Sequence, residues 1–557
     1  MITPTGFKKE IGIFAKPAGQ LLLIAALAFI VYAGSLSGQF VWDDHALITD
    51  NPYVKDCKYL PRVFSQDLGR GAGVEFHYWR PLVSLVQMLE YSWWGSNPVG
   101  YHLASISFHA LAAFCLYWLI MVLFSDALIA FLAAGLFVVH PVHSATAASI
   151  SGLVNSLAAV FILLSVIFYV KYCRGLSAGR HGGDQGHYLL MLVSFALALI
   201  SKENSLVVPG LFLLYHFVFR VEAKMKSYVP ILAVVLGYLV WRNTVLIHSL
   251  VQAAGIFARL PAFLAALTGY AGLLLLPRDI HMEYAAQDFS WADPAVIAGA
   301  LILAGLLAAA FWRKQKIIAW AAGWFLLTLL PVSNIFSTTA FYMTGHYLYL
   351  PAAGFFLVLA AGLARSWRSA RWRVYGVGLA FTLVAVYSCL AAGQNVYWSD
   401  DITFFRHNLK YAARSARMHY NLGLAYYQAG DKRRAIDAYQ QALTIEPASP
   451  AIYYNLALAY SDTGQADLAI TDYKKAIQLE PRYFQAYNGL GYLCARLGRD
   501  QEAEYLFQTA MAIAPDFSPA RDNLIALYRR NGRPDLAARY TGAKAQTGRV
   551  SGPGAGL

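Results

Sequence analysis

Long apolar stretches separated by short polar connections run through the chain as far as residue 394. Most approach the roughly 20 residues that an α-helix needs to cross the hydrocarbon core of a bilayer. Twelve such stretches are predicted: 20–38, 101–124, 127–140, 146–170, 187–200, 204–220, 228–248, 259–277, 295–312, 317–331, 351–364 and 374–394. The pattern predicts a polytopic helical membrane domain over residues 1–397.

Basic residues between the stretches predict how the chain crosses the membrane. Lys and Arg are enriched in short cytoplasmic loops, and sixteen of them form five clusters here. The clusters are Lys8, Lys9, Lys16; Lys171, Arg174, Arg180; Arg220, Lys224, Lys226; Arg313, Lys314, Lys316; and Arg365, Arg368, Arg371, Arg373. Placing them inside requires about eleven crossings, with a cytoplasmic N-terminus.

One apolar segment is therefore expected not to cross. Arg259, Pro261 and Gly269 interrupt the apolar pattern of 250–277, which predicts an amphipathic or re-entrant helix on the outer face. The first stretch, Leu21 to Tyr32, follows basic residues and lacks a small-residue cleavage site, so an uncleaved signal anchor is expected. The loop 38–100 is then extracytoplasmic.

A 34-residue period begins after a connector at 398–414. The recurring positions are Asn421 and Asn455; Gly430, Gly464, Gly498 and Gly532; Ala435, Ala469, Ala503 and Ala537; and Pro447, Pro481 and Pro515. This period is typical of tetratricopeptide helical hairpins. It predicts a repeat domain over 415–548, with units 415–448, 449–482, 483–516 and 517–548, followed by a flexible tail at 549–557.

The composition fits an all-α membrane protein and excludes other classes. The chain is 58% hydrophobic and only 13% charged, outside the usual range for soluble domains. Its net charge of +13 is exceeded by the sixteen clustered cations, so the basicity indicates membrane topology and not nucleic-acid binding. Five cysteines, at 57, 115, 173, 389 and 494, show no paired spacing, so neither a disulfide framework nor a zinc site is predicted.

Candidate chemistry is concentrated at the predicted outer face. Asp43 and Asp44 follow the first stretch, where a solvated turn is the alternative to a catalytic role. Three further polar motifs cap apolar helices on that face: His140 to His143, Ser201-Lys202-Glu203 and Gly345-His346-Tyr347. Their convergence predicts a shared polar cavity, and ordinary interfacial residues are the alternative.

The repeats predict a peptide-binding groove. Asn421 and Asn455 recur on the first helix of successive repeats at a groove-facing position. A carboxamide both donates to and accepts from a peptide backbone, so this pair is predicted to clamp an extended acceptor peptide without selecting its side chains. Asn is also common at this position in generic repeats, and Gly489 interrupts the series.

Together these motifs resemble a known family over nearly the whole chain. They are the early Trp42-Asp43-Asp44, Tyr78-Trp79-Arg80-Pro81-Leu82, Tyr101-His102-Leu103, His140-Pro141-Val142-His143, Ser201-Lys202-Glu203 and Tyr347-Leu348-Tyr349-Leu350-Pro351, followed by the repeats. Their order is similar to that of the transmembrane and tetratricopeptide-repeat-containing O-mannosyltransferases. The resemblance implies a glycosyltransferase of the inverting GT-C class, which takes its sugar from a polyprenyl phosphate on the extracytoplasmic face.

That chemistry needs a carboxylate base and an electrostatic clamp for the departing phosphate. Asp44 is favoured as the base and Asp43 as a positioning group. Arg80 and Lys202 are the candidate phosphate ligands, with His346 as a further contact. Glu203 is expected to orient Lys202 or a sugar hydroxyl. The remaining candidates for donor binding or orientation are His102, His140, His143 and Tyr347.

Several positions depart from the family pattern. Ser144-Ala145 follows His143 where relatives often have Glu, Gly345-His346 replaces Glu-Arg, and Gly152-Leu153-Val154-Asn155 lacks the usual Arg and acid. These differences put the identity of the sugar in doubt more than the transfer reaction. No cofactor is expected; a divalent metal on Asp43, Asp44 and a His is an alternative that is not favoured.

Three functions are compatible with these observations. The first is protein O-glycosylation with the acceptor recruited by the repeats, and the second is transfer to a lipid or polysaccharide. The third is a non-catalytic membrane scaffold, which gives no role to Asp43, Arg80 and Lys202. The expected location is a bacterial inner membrane, with the site and the repeats in the periplasm.

Overall fold

The computed structural model describes residues 16–177, 185–246, 255–285, 289–335 and 341–541. The chain divides into two compact units after Asp400. The predicted tail at 549–557 lies outside the described residues, as do Lys8, Lys9 and Arg180 of the basic clusters.

The first unit is a bundle of helices. In chain order these are α1 Pro17–Tyr32, α2 Leu60–Ser65, α3 Pro81–Trp94, α4 Pro98–Phe124, α5 Ala127–Val139, α6 Ser144–Ala147, α7 Leu153–Ser177, α8 Gln185–Ser201, α9 Val208–Phe219, α10 Tyr228–Val245, α11 Ile256–Leu275, α12 Pro294–Phe311, α13 Lys316–Leu329, α14 Ala352–Arg368 and α15 Arg373–Asn395. A two-stranded antiparallel ribbon, β1 Tyr284–Ala285 with β2 Phe341–Met343, precedes a short 3₁₀ helix at Gly345–Leu348.

Seven helices of the described residues are long and apolar enough to cross a membrane, or eight if the bent pair Ala127–Val139 and Pro141–Ala147 forms one span. Three shorter apolar helices are also present: Gln185–Ser201, Glu203–Phe219 and Lys316–Val332. With the bent pair counted as one span, the apolar helical segments number eleven, which equals the predicted number of crossings. The set differs from the expected one because it includes Ile256–Leu275 and omits Ala352–Arg368.

The segment that was expected not to cross contains one continuous helix, which is long and apolar enough to cross a membrane. Helix α11 continues through Pro261 and Gly269. Pro261 lies near the start of the helix, where the missing N–H costs one intrahelical hydrogen bond and does not end the helix. Gly269 provides close packing instead, because a Cβ there would lie 2.5 Å from the Met343 sulfur.

Basic residues from separate clusters gather at the same end of the first unit. The C-terminal ends of α4 and α9 meet where the rings of Phe124 and Phe219 lie 5.8 Å apart. The Lys171 ammonium lies 4.6 Å from the Trp118 ring, and Lys316 lies 5.5 Å from the Phe219 ring. The bundle therefore has one basic end, and the polar motifs described below lie at the opposite ends of α7 and α9.

The second unit consists of antiparallel helical pairs. After α16 Asp401–Leu409, which lies inside the predicted connector, come α17 Ala416–Gln428, α18 Lys432–Ile445, α19 Pro450–Asp462, α20 Ala466–Leu479, α21 Phe484–Arg496, α22 Asp500–Ile513, α23 Ser518–Arg530 and α24 Pro534–Thr541. Each recurring glycine has a positive φ at the turn within its pair, such as 85° at Gly430. The recurring alanines, including Ala435 and Ala469, are fully buried where the helices meet.

Candidate functional site

The two adjacent carboxylates have different environments. Asp44 is 1% exposed, and its Oδ2 and Oδ1 accept hydrogen bonds from the backbone N–H groups of Val41 (2.9 Å) and Ser151 (2.8 Å). Gly152, the next residue, packs closely against the backbone of residues 145 and 146. A Cβ at Gly152 would overlap with those backbone atoms. Burial raises the pKa of the Asp44 carboxyl to about 7, although these N–H donors act to lower it. Asp44 thus ties the loop after α1 to the start of α7.

Asp43 is only partly buried and lies on the same turn. The turn contains Trp42 in a left-handed conformation, with φ of 55°. The negative charge of Asp43 acts on the Tyr78 phenol, as do the charges of Arg80 and Glu203. Asp43 is therefore the more accessible carboxylate, and it lies within electrostatic range of the same phenol as the Arg80–Glu203 pair.

Arg80 forms a bidentate ion pair with Glu203. Its Nε and Nη2 donate to Oε2 and Oε1 at 3.0 and 2.6 Å, and the two side chains are 10% and 25% exposed. One face of the guanidinium stacks on the Tyr78 ring, with 3.9 Å between Cζ and the ring centroid. Glu203 was expected to orient Lys202 or a sugar hydroxyl, whereas in the structure it holds Arg80.

Tyr78 is held in place by a carboxylate that the sequence analysis did not single out. Asp67 accepts hydrogen bonds from the backbone N–H groups of Gly69, Phe76 and Tyr78 at 2.8 to 3.0 Å. Three backbone donors on one side chain close the segment 67–78 into a compact loop. Asp67 therefore positions the Tyr78-Trp79-Arg80 motif from a distance.

Lys202 donates a hydrogen bond of 2.6 Å to the side-chain oxygen of Asn155. Asn155 is 9% exposed and lies in the first turn of α7. It is the position where the resemblance leads one to expect an acid. A neutral acceptor holds the ammonium without neutralising it, so the positive charge of Lys202 remains uncompensated by this contact.

His346 lies beside this cationic pair. Its Nδ1 is 2.6 Å from the Thr344 hydroxyl oxygen. Desolvation, followed by the charges of Lys202 and Arg80, lowers the pKa of His346 to about 3. His346 is therefore neutral at physiological pH and supplies a hydrogen bond, not a charge. The Tyr347 ring is half-buried and packs edge-on against it, with centroids 4.7 Å apart.

The other candidate histidines are buried. His102 in α4 packs on the loop after α1, because a Cβ added to Gly38 would lie 3.1 Å from its Nε2. His140 contacts the Leu274 carbonyl at 3.2 Å through Nε2, and its Nδ1 accepts from the Val142 N–H. His143 is 0% exposed and packs against Phe137, with ring centroids 4.4 Å apart. His140 and His143 are thus part of a buried aromatic cluster.

One buried acid of the same loop was missed from the sequence. Glu90 in α3 is 4% exposed, and its Oε1 has no hydrogen-bond partner in the described part of the chain. Burial, followed by the charge of Asp44, raises the pKa of Glu90 to about 8. Nothing in its sequence context marks it, because burial depends on how α3 packs.

The two asparagine side chains predicted to bind peptide in the repeat domain also differ in their burial and hydrogen bonding. Asn421 is half-buried. Asn455 is 4% exposed, and its amide donates to the Tyr420 hydroxyl and the Ala451 carbonyl, both at 2.9 Å. Its amide hydrogens are thus used within the unit, which leaves only the carbonyl oxygen for a peptide. Asn523 resumes the series after Gly489 and donates to the Asn488 side chain at 2.9 Å.

Among the described residues, no three His, Cys, Asp or Glu side chains converge as metal ligands. The charged groups instead form one electrostatic set, in which Asp43, Arg80 and Glu203 act on the Tyr78 phenol and Lys202 interacts with Arg80 and Glu203. This set combines an accessible carboxylate with two cations, one of which carries no counter-charge at its hydrogen-bonding partner.

Comparisons with known proteins found relatives that match the membrane domain and the repeat domain of this chain. Residues 423–464 match the family described as TPR repeat and residues 454–516 the family described as Tetratricopeptide repeat, so the predicted repeats are confirmed. Among solved structures, the crystal structure of MamA is 25% identical, covers 25% of this chain and 81% of its own, and gives a TM-score of 0.24.

The resemblance to transmembrane, repeat-containing O-mannosyltransferases is also confirmed. The chain is 26% identical over 449 residues to protein O-mannosyl-transferase F38B6.6 of Caenorhabditis elegans, covering 77% of this chain and 63% of the relative. It is 26% identical over 494 residues to protein O-mannosyl-transferase TMTC4 of Homo sapiens, covering 76% and 66%. The chain thus spans slightly less than two thirds of the length of these relatives.

Proposed function

We propose that this protein is a membrane glycosyltransferase that moves a sugar from a polyprenyl phosphate to a hydroxyl group of a protein. The observation that carries the proposal is the electrostatic set in which Asp43 and Arg80 act on the Tyr78 phenol and Lys202 interacts with Arg80. It offers a base for the acceptor and cations for the leaving group within one set of charged residues. The named activity of the relatives supports the same reaction class.

Asp43 acts as the base in this proposal. Its carboxylate takes the proton of the acceptor hydroxyl while the hydroxyl oxygen attacks the anomeric carbon. The bond from that carbon to the phosphate oxygen breaks, its electron pair leaves with the phosphate, and the anomeric configuration inverts. Asp44 is assigned a positioning role because both of its oxygens already accept backbone N–H groups. This reverses the preference drawn from the sequence.

Arg80 and Lys202 receive the departing phosphate. The Nη1 group of Arg80 is not used by Glu203 and remains available as a donor. The Lys202 ammonium has two further hydrogens beyond the one given to Asn155. These cations stabilise charge that increases on the phosphate oxygen as the sugar leaves, which is where preorganised electrostatics lowers the barrier. Neutral His346 is left with a hydrogen-bonding role.

The tetratricopeptide-repeat domain, which forms the second unit of the chain, recruits the protein acceptor. Tetratricopeptide solenoids provide concave surfaces suited to extended peptides, and Asn421 is the carboxamide of the pair that keeps its surface access. The single basic end of the first unit supports a topology with that end in the cytoplasm and the Asp43 end in the periplasm of a bacterial inner membrane.

The test is expression of full-length variants followed by mass measurement of glycans on extracytoplasmic proteins. Asp43→Asn should abolish the modification, and Asp50→Asn, an exposed acid of the same loop, should leave it intact. Normal glycosylation by Asp43→Asn at equal protein level would reject the catalytic assignment. Asn421→Ala should reduce modification of the protein acceptor. Transfer to a lipid or polysaccharide by the wild-type protein, with no modified protein, would favour those acceptors instead.

A further inference from the structure

A polar cavity lies at the basic end of the first unit. Its volume is about 190 Å³, and it is lined by residues that include Tyr169, Cys173, His216, Val221, Glu222 and Lys224. The cavity is bounded by the last turns of α7 and α9, the segment that connects α9 to α10, and the start of α10. None of these residues belongs to the electrostatic set of the candidate functional site.

The inner wall is a fixed hydrogen-bond chain. His216 Nδ1 lies 2.9 Å from the Val221 carbonyl, which assigns the proton to Nδ1. Its Nε2 is then the acceptor for the Tyr169 hydroxyl, at 2.7 Å. The Tyr169 hydroxyl oxygen also lies 3.2 Å from the Tyr228 hydroxyl oxygen. The wall is therefore preorganised and does not need to rearrange when a ligand enters.

The position of the cavity corresponds to a membrane interface. On α7, Tyr169 lies fourteen residues after Asn155, a separation of about 21 Å along the helix. Together with the last turn of α7, this distance approaches the thickness of the hydrocarbon core, which is roughly 30 Å. The cavity thus lies at the opposite interface from Lys202 and Glu203.

The surroundings of the cavity are cationic. Lys224 lines it and has no ion-pair partner among the residues that the structure describes. Further cations lie outside the lining, on the same helix ends and the connecting segment: Lys171, Arg174, Arg220 and Lys226. Among the described residues that line the cavity, Glu222 is the one acidic residue, and it is exposed to solvent. The local charge balance therefore favours an anion.

The side next to the hydrocarbon is apolar. Leu176 and Val221 contribute to the lining. Beyond the cavity, α10 presents Val229 and Leu232, which are 66% and 59% exposed. An amphiphile could thus place its head in the cavity and its chains along α10, which a free ion cannot do.

We infer that this cavity binds the phosphate headgroup of an anionic phospholipid. Basic pockets between membrane helices on the cytoplasmic side are established binding places for such headgroups. Here Lys224 provides the charge, the tyrosine and histidine wall provides shape and polarity, and α10 provides the acyl-chain surface. The site is independent of the transferase reaction.

The test compares two charge reversals in the full-length protein. Lys224→Glu changes a residue that lines the cavity, and Lys226→Glu makes the same change two residues away, outside the lining. The measurement is lipid retained by purified protein, by native mass spectrometry, after exchange into phosphatidylglycerol mixed with phosphatidylcholine or into phosphatidylcholine alone. We expect Lys224→Glu to lose retained phosphatidylglycerol about tenfold more than Lys226→Glu does.

Equal losses in the two variants would overturn the inference, because they would indicate diffuse surface attraction. No preference for phosphatidylglycerol in the folded wild-type protein would overturn it too. Leu176→Trp fills the cavity and leaves the net charge of the protein unchanged, so it should reduce the amount of phosphatidylglycerol retained. A parallel measurement uses inorganic phosphate. If Lys224→Glu loses phosphate binding but retains as much phosphatidylglycerol as the wild-type protein, the ligand is free phosphate and not a lipid.

Discussion

The carboxylate of Glu203 accepts two hydrogen bonds from the guanidinium of Arg80, across 123 residues of sequence. Bidentate geometry fixes the plane of the guanidinium as well as its position. The free edge of Arg80 and its stacking on Tyr78 are thus set before any substrate binds. Glu203 limits the positive charge at the site to what Lys202 adds, and the following predictions depend on that balance.

Glu203→Gln should weaken both folding and activity. The substitution leaves the Arg80 charge in a largely buried place without its counter-charge, at a cost of about 1–3 kcal/mol after allowing for the partial exposure of the pair. Thermal unfolding of the purified protein measures the loss. The double variant Arg80→Gln with Glu203→Gln should recover part of the stability but none of the activity. A double variant no more stable than Glu203→Gln would contradict this account of the pair.

Asp44→Asn should act mainly on stability. An amide retains only one acceptor oxygen, so either Val41 or Ser151 faces an N–H₂ group where its backbone N–H needs an acceptor. Loss of one such buried hydrogen bond costs about 1–3 kcal/mol. The melting temperature should therefore fall further for Asp44→Asn than for Asp43→Asn. The opposite ranking would remove the distinction between the two carboxylates.

Asn155→Leu should impair transfer without unfolding the bundle. The Lys202 ammonium loses its 2.6 Å partner and is free to move away from the place that the phosphate would occupy. We expect about a tenfold fall in turnover, corresponding to about 1.4 kcal/mol of transition-state stabilisation. Asn155→Asp is the matched comparison, because it keeps the acceptor but neutralises Lys202. Full activity in both variants would show that Lys202 does not act on the donor.

Glu90→Gln should stabilise the protein above neutral pH. The pKa of Glu90 is raised from 4.5 to about 8, so between these values the folded state holds a proton that the unfolded state has released. Stability therefore falls as pH rises through this window. The amide removes that dependence, and a gain of about 1–3 kcal/mol is expected at pH 8 with little change near pH 4.

Unfolding temperatures at the two pH values measure the Glu90 effect. Glu75→Gln is the control, since Glu75 is an exposed acid of the same loop, paired with Arg70 at the surface. A stabilisation by Glu90→Gln that is equal at both pH values would indicate better packing instead of relief of a buried charge.

Local periodicity was sufficient to predict the second unit. A tetratricopeptide repeat is a short helical hairpin whose contacts are mostly with its own and adjacent residues, so recurring positions such as Gly430 and Ala435 reveal it directly. The apolar stretches of the first unit were equally visible, because twenty consecutive apolar residues have few other stable environments than lipid. The continuity of α11 was less visible, since Pro261 near its start interrupts the apolar pattern but leaves the rest of the helix intact.

The sequence by itself determined which residue types were present for the site: an acid pair, an arginine, and a Lys-Glu pair next to an apolar helix. Only the tertiary structure decided their partners, because Glu203 faces Arg80 and Lys202 faces Asn155 through the packing of helices distant in sequence. It also decided which of Asp43 and Asp44 is buried. Adjacent side chains point in different directions, and the backbone N–H of Ser151, 107 residues away, selects the one that is buried.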